Sequence, residues 1–90
     1  MYMHIGQDFL VPMREIVCIF DFDTATASRH TKKLINRLTK EGRVIDLFDD
    51  LPKACVLCFS HLGEHLYISQ ISSATLLKRF ENGLDAFQAE

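Results

Sequence analysis

No apolar run in this chain is longer than six residues, and that run, Ala54-Cys55-Val56-Leu57-Cys58-Phe59, limits what the chain can become. A membrane-spanning helix needs ~20 consecutive apolar residues, and the sequence offers no such segment. A run this short, bounded by turn formers, reads as a buried strand instead. Ile16 to Phe20 is a second run of the same kind, β-branched and without alternation, and it is expected to be the central strand, buried on both faces. Ninety residues leave room for one core, so one domain is expected over residues 1–83, with residues 84–90 as a C-terminal tail whose Leu84 and Phe87 could dock on a neighbour.

The other elements follow from periodicity and punctuation. Tyr2 to Ile5 and Phe9 to Val11 read as a hairpin about Gly6-Gln7-Asp8, stopped by Pro12. Asp21, Asp23 and Thr24 offer capping oxygens, and a main helix is expected from Ala25–Ser28 to Glu41, ~25 Å long, with Ala27, Leu34, Ile35 and Leu38 on one face. Gly42 is placed to end it. Arg43 to Phe48 reads as a strand before the Asp49–Pro52 turn, and Ala54 to Phe59 pairs with Leu66 to Ile68 across His61–Glu64. Ser72 or Ser73 caps a short last helix carrying Leu76, Leu77 and Phe80, which Asn82-Gly83 should end. The class is α+β: a small mixed or antiparallel sheet packed by one main helix.

Charge is uninformative in sum and informative in place. The formal net charge is -2, which gives no bulk attraction to nucleic acid or to an anionic membrane. Residues 28–43, however, hold Arg29, Lys32, Lys33, Arg37, Lys40 and Arg43 against Glu41 alone, or +5, leaving -7 for the rest of the chain. Arg29, Lys33 and Arg37 recur every four residues, opposite the Leu34/Ile35/Leu38 face. Such a stripe can neutralise phosphates, the sequence-independent part of DNA affinity. It is equally what a solvated helix face looks like, with the acids Asp46, Asp49 and Asp50 of the same or another copy as its partners.

Cys55-x2-Cys58 followed by His61-x3-His65 holds zinc-ligand types at zinc-ligand spacings. Two things oppose a metal site there. The halves lie far closer than the ~12 residues by which zinc fingers separate them. On a strand, Cys55 and Cys58 also point to opposite faces. The alternative is that both are small core hydrophobes. No glycine-rich phosphate loop and no nucleophile, base and orienter set is evident, so no catalytic residue, no enzyme activity and no cofactor is expected. The N-terminus lacks a basic segment followed by an apolar one, and the odd cysteine count is no disulfide framework; a cytoplasmic protein without membrane attachment is expected.

Taken in order, the Met-Tyr-x-His-Ile-Gly-x-Asp-Phe start, the Arg14-Glu15-Ile16-Val17-x-Ile19-Phe20-Asp21 strand, the basic helix and Ser69-Gln70-Ile71-Ser72-Ser73-Ala74-Thr75-Leu76 resemble the RemA/RemB family of small bacterial extracellular-matrix regulators. The resemblance spans about residues 1–80, and the RemB-like branch is the nearer. It implies a small α+β domain shaped like a response-regulator DNA-binding domain, and, from the RemA branch, a ring-forming homo-oligomer that binds promoter DNA of biofilm-matrix genes. In that branch DNA contact depends on an arginine just before the third strand and on arginines in the loop before the fifth. The first place falls here on Arg14-Glu15, and the second on Asp49-Asp50-Leu51-Pro52-Lys53, where Lys53 is the one cation. Two acids in that loop repel phosphate.

The expected function is therefore a non-enzymatic, oligomeric regulator in transcriptional control of matrix genes. Its expected DNA contacts are Arg14, Arg29, Lys33, Arg37 and Lys53. The alternative is an interaction module that has lost DNA contact and binds a protein, such as a related regulator. Below both stands a small zinc-binding module built on Cys55, Cys58, His61 and His65.

Overall fold

The computed structural model describes residues 1–88, arranged as two small sheets and three α-helices. Strands β1 (Tyr2–Gly6) and β2 (Phe9–Pro12) form an antiparallel hairpin, and a single 3-10 turn, Met13–Glu15, leads into β3 (Ile16–Asp21). Helices α1 (Phe22–Ala27) and α2 (Arg29–Lys40) follow, then β4 (Val44–Leu47), β5 (Ala54–Ser60), β6 (Gly63–Ser69) and α3 (Ser73–Gln88). The second sheet has the order β3-β5-β6-β4; only β4 and β6 run parallel. The class is α+β, as expected.

Alternation along β5 divides the core in two. Ala54, Val56 and Cys58 face the β1–β2 hairpin and α3, in a cluster with Met3, Ile5, Val11, Leu47 and Leu76. Cys55 and Leu57 face α1 and α2, in a cluster with Ala25, Leu38, Leu66 and Ile68. Ser69, fully buried, ties the layers: its Oγ donates to the Ile5 carbonyl (2.5 Å) and accepts from the Ile71 amide (3.0 Å). Arg79 of α3 adds a second tie, donating from Nη1 to the His4 carbonyl (3.0 Å).

Three sequence expectations are corrected. The central strand is β5 with β6, and β3 lies at the edge of the sheet. A bulge between Ile16 and Cys18 sets Val17 and Cys18 consecutively against Leu57, and both are exposed. Ile16 and Ile19 pack against the hairpin-side cluster and Phe20 against the helix-side cluster, so the strand is apolar towards both faces but only partly buried. The main helix is also interrupted. Ser28 is extended (φ -92°, ψ 126°), closing α1 and capping α2 by accepting the Thr31 amide (3.3 Å). Thr24 and Thr26 favour the break, since β-branched residues lose side-chain freedom in a helix. The uninterrupted part, α2, is ~18 Å long at ~1.5 Å per residue. It ends at Gly42 as expected, with Arg43 N–H donating to the Leu38 carbonyl (2.8 Å) and Gly42 N–H to that of Thr39 (3.1 Å).

The third correction concerns α3. Ser72 caps it, accepting the Thr75 amide (3.3 Å), but Asn82-Gly83 does not end it. Gly83 is there for proximity. A Cβ at this position would lie 2.6 Å from Met13 Sδ, so the missing side chain lets the helix seat against the turn before β3. Residues 84–88 continue the helix backbone; the expected docking of Leu84 and Phe87, and residues 89–90 of the expected tail, fall outside what is described.

Candidate nucleic-acid interface

Helix α2 turns Leu34, Ile35 and Leu38 to the sheet and leaves Arg29, Lys32, Lys33, Arg37 and Lys40 exposed on its outer side. The stripe read from the sequence exists, but its members differ. Arg37 is committed: Nη2 pairs with Glu64 of β6 (2.9 Å) and Nη1 with Glu41 (3.4 Å). Its hydrogen bond with Glu64 holds the guanidinium above its ordinary pKa. Arg29, Lys32, Lys33 and Lys40 have no ion pair among the described residues. Lys33, Asn36, Arg37, Lys40 and Glu41 line a shallow depression along this face.

The closed end of α2 is a small charge network that the sequence hid. Arg43 lies under the β5–β6 turn, where Nη1 donates to the Leu62 carbonyl (2.6 Å) and Nε faces Glu41 (3.5 Å). Gly63 makes room for it, since a Cβ there would stand 2.8 Å from Arg43 Nη1. Glu64 reaches Arg37 only because β6 begins at Gly63, directly after a two-residue turn. That pairing spans 27 residues and leaves no periodic trace in the sequence. A tight hairpin register, with Ser60 opposite Gly63, was the one signal that could have located it.

Arg14 and Lys53 are exposed but not beside the stripe. Arg14 lies in the 3-10 turn before β3, at the end of the sheet where Ile16 pairs with Cys58. Lys53 lies at the opposite end, where its carbonyl accepts from the Phe22 amide (3.0 Å) and its amide donates to the Ser69 carbonyl (2.8 Å). The four steps from Ala54 to Cys58 that separate these ends span ~13 Å at ~3.3 Å per residue. Lys53 shares its end with Asp50, Leu51 and Gln70, and Asp46, Asp49 and Asp50 are all exposed. The five cations thus fall in three places.

The Cys/His segment is divided between the two cores. Cys55 and Cys58 lie in different clusters on opposite sides of β5, while His61 is in the exposed turn and His65 is half-buried opposite Cys58. Burial, then the nearby Cys18, pushes the Cys55 thiol up to about 11. Burial, then Glu15 and Cys18, pushes that of Cys58 up to about 12. Zinc binds thiolates, which this environment disfavours. Among the described residues no three His, Cys, Asp or Glu side chains are grouped to hold a metal. No described helix is long and apolar enough to cross a membrane.

Comparison with known proteins places this geometry. The family described as RemA-like, Extracellular matrix regulatory protein A-like, matches residues 2–80. Extracellular matrix regulatory protein B of Bacillus subtilis (strain 168) is 35% identical over 79 residues, covering 88% of this chain and 89% of that protein. The match takes in the hairpin, the edge strand, the basic helix and the start of α3, and the chain belongs to the RemA-like family of extracellular matrix regulatory proteins.

Proposed function

We propose that this chain is a non-enzymatic, cytoplasmic, self-associating regulator of extracellular-matrix genes that touches duplex DNA with low sequence specificity through α2. The observation that carries this reading is the row of exposed cations Arg29, Lys32, Lys33 and Lys40 on one outward face, none of them ion-paired among the described residues. Each phosphate they neutralise releases a counterion, so affinity falls with salt. A subunit of net charge -2 binds weakly by itself; copies held together, as a ring or smaller assembly, gain avidity without new contacts. Arg37 contributes less than the sequence suggested because Glu64 and Glu41 already hold it. Arg14 and Lys53, at opposite ends of the sheet, reach other parts of the duplex than α2 does.

The test is fluorescence anisotropy on mixed-sequence and AT-rich duplexes across a salt series, for wild type and for Lys32→Glu/Lys33→Glu. Steep salt dependence that flattens in the variant supports the reading. Equal affinity and equal salt slope in the two proteins would falsify it. A second reading, an interaction module for another regulator, is favoured by the exposed acids Asp46, Asp49 and Asp50 in and after β4. Absence of DNA binding at low salt by an intact assembly selects that reading.

A further inference from the structure

The outward face of α2 is not uniformly cationic. Successive residues of an α-helix are turned by ~100°, so Arg29, Lys33, Asn36 and Lys40 fall along one crest, opposite the fully buried Leu38. Lys32 lies on one flank of that crest and Arg37 on the other. Arg37 and Arg43 neutralise Glu41 and Glu64 at the C-terminal end of the helix, while Arg29, Lys32, Lys33 and Lys40 have no ion pair among the described residues. Asn36 is therefore a neutral side chain with free cations before, beside and after it.

No local duty accounts for an asparagine there. In a helix interior asparagine is less favourable than lysine or glutamine, and its usual places are caps and turns, where its side chain bonds to nearby backbone. The hydroxyl side chains around it fill such local uses. Ser28 caps α2 by accepting the Thr31 amide (3.3 Å), Thr26 donates to the Asp23 carbonyl (2.9 Å), and Thr39 donates to that of Ile35 (2.7 Å). Asn36 is exposed and makes no hydrogen bond among the described residues. Its amide offers a donor and an acceptor in one plane, both unused.

The spacing of the crest fits one groove of a duplex. The major groove of B-DNA is ~12 Å wide and admits a helix, whereas the minor groove, ~6 Å wide, does not. Arg29 and Lys40 are eleven residues apart, or ~16 Å at ~1.5 Å per residue, so on a helix laid across the major groove they reach phosphates of its two walls. Asn36 then lies between the walls, over the base edges. An amide there matches adenine, donating to N7 and accepting from the N6 amino group. Guanine presents two acceptors, N7 and O6, and leaves the amide oxygen opposed to one of them.

We propose that Asn36 reads an adenine edge in the major groove, while Arg29, Lys32, Lys33 and Lys40 hold phosphates around it. The inference rests on the DNA contact through α2 proposed above and adds to it one base-reading residue and the base it takes. A single reader sets a preference at one base-pair position and leaves the rest of the contact indifferent to sequence.

The full chain should be titrated by fluorescence anisotropy against two A·T-rich duplexes of identical sequence, one built with adenine and one with 7-deazaadenine. The analogue replaces N7 by C–H and leaves base pairing and the minor-groove edge unchanged. Wild type should bind the adenine duplex about five-fold more tightly. Asn36→Ala should keep its far-UV circular dichroism and its salt slope but bind the two duplexes equally. Lys33→Ala should lower the salt slope by about one and leave the preference for adenine in place. A wild type that binds neither duplex at low salt overturns the DNA reading and this inference together. A wild type that binds both duplexes equally, or a preference that survives in Asn36→Ala, overturns the role of Asn36 alone. A salt slope lowered as much by Asn36→Ala as by Lys33→Ala also overturns it, because the side chain then acts through phosphate.

Discussion

Strands β3 and β5 read almost alike and end in opposite circumstances. Ile16-Val17-Cys18-Ile19-Phe20 is a five-residue apolar run, and Ala54-Cys55-Val56-Leu57-Cys58 opens a six-residue one that ends in the exposed Phe59, both with cysteine among aliphatics. Every residue of the second is buried, with helices on one side and the hairpin on the other. None of the first is fully buried. Apolarity shows that a run can be a strand, whereas burial is decided by its neighbours in strand order, which composition does not report. Both edges of β5 are occupied, by β3 and β6, whereas one edge of β3 is free.

The buried thiols give the largest expected contrast between the two strands. Cys55 and Cys58 of β5 hold their protons up to about 11 and about 12, while thiols in an unfolded chain ionise from ~8.5. The folded values are raised, so the stabilisation is fully present below the unfolded value and is lost as pH rises toward the folded ones. Between those limits each thiol removes ~1.4 kcal/mol per pH unit. Urea midpoints should thus be flat up to about pH 8.5 and then fall steeply by pH 10. Cys55→Ala/Cys58→Ala should flatten the fall, whereas Cys18→Ser on β3 should leave most of it. An unchanged slope in the double variant would assign the alkaline loss to other groups.

Side-chain truncation separates the strands next. Val56→Ala removes two methyl-sized groups from a fully buried site on β5 and should cost about 2 kcal/mol, read as a lower urea midpoint at constant slope. Ser69→Ala follows at about 1–2 kcal/mol. It takes the donor from the Ile5 carbonyl and the acceptor from the Ile71 amide, so hydrogen exchange should rise first in β1. Uniform acceleration across both sheets would mean that Ser69 does not hold the hairpin specifically.

Much of this was legible in the sequence, and the failures have definite causes. The hairpin, the Gly42 helix end, the Ser72 cap and the opposite orientation of Cys55 and Cys58 are local events, fixed by residues within a few positions of each other. The misread features depend on contacts distant in the chain. Gly83 looked like a helix stop because the Met13 side chain that lies against it is 70 residues away in sequence. Val17 looked buried because a bulge cannot be seen in a run of uniform polarity. On the candidate interface, the cation spacing of α2 was visible, but the Glu64 that claims Arg37 arrives through the β5–β6 register.

The smallest expected effect is the sharpest test of the comparison. Val17→Ala on β3 removes the same atoms as Val56→Ala on β5, from a side chain 60 % exposed instead of 0 %. Measured by urea titration at dilution, where copies are separate, it should shift stability by no more than about 0.5 kcal/mol. A loss at dilution equal to that of Val56→Ala would mean that β3 is packed within the single chain as tightly as β5.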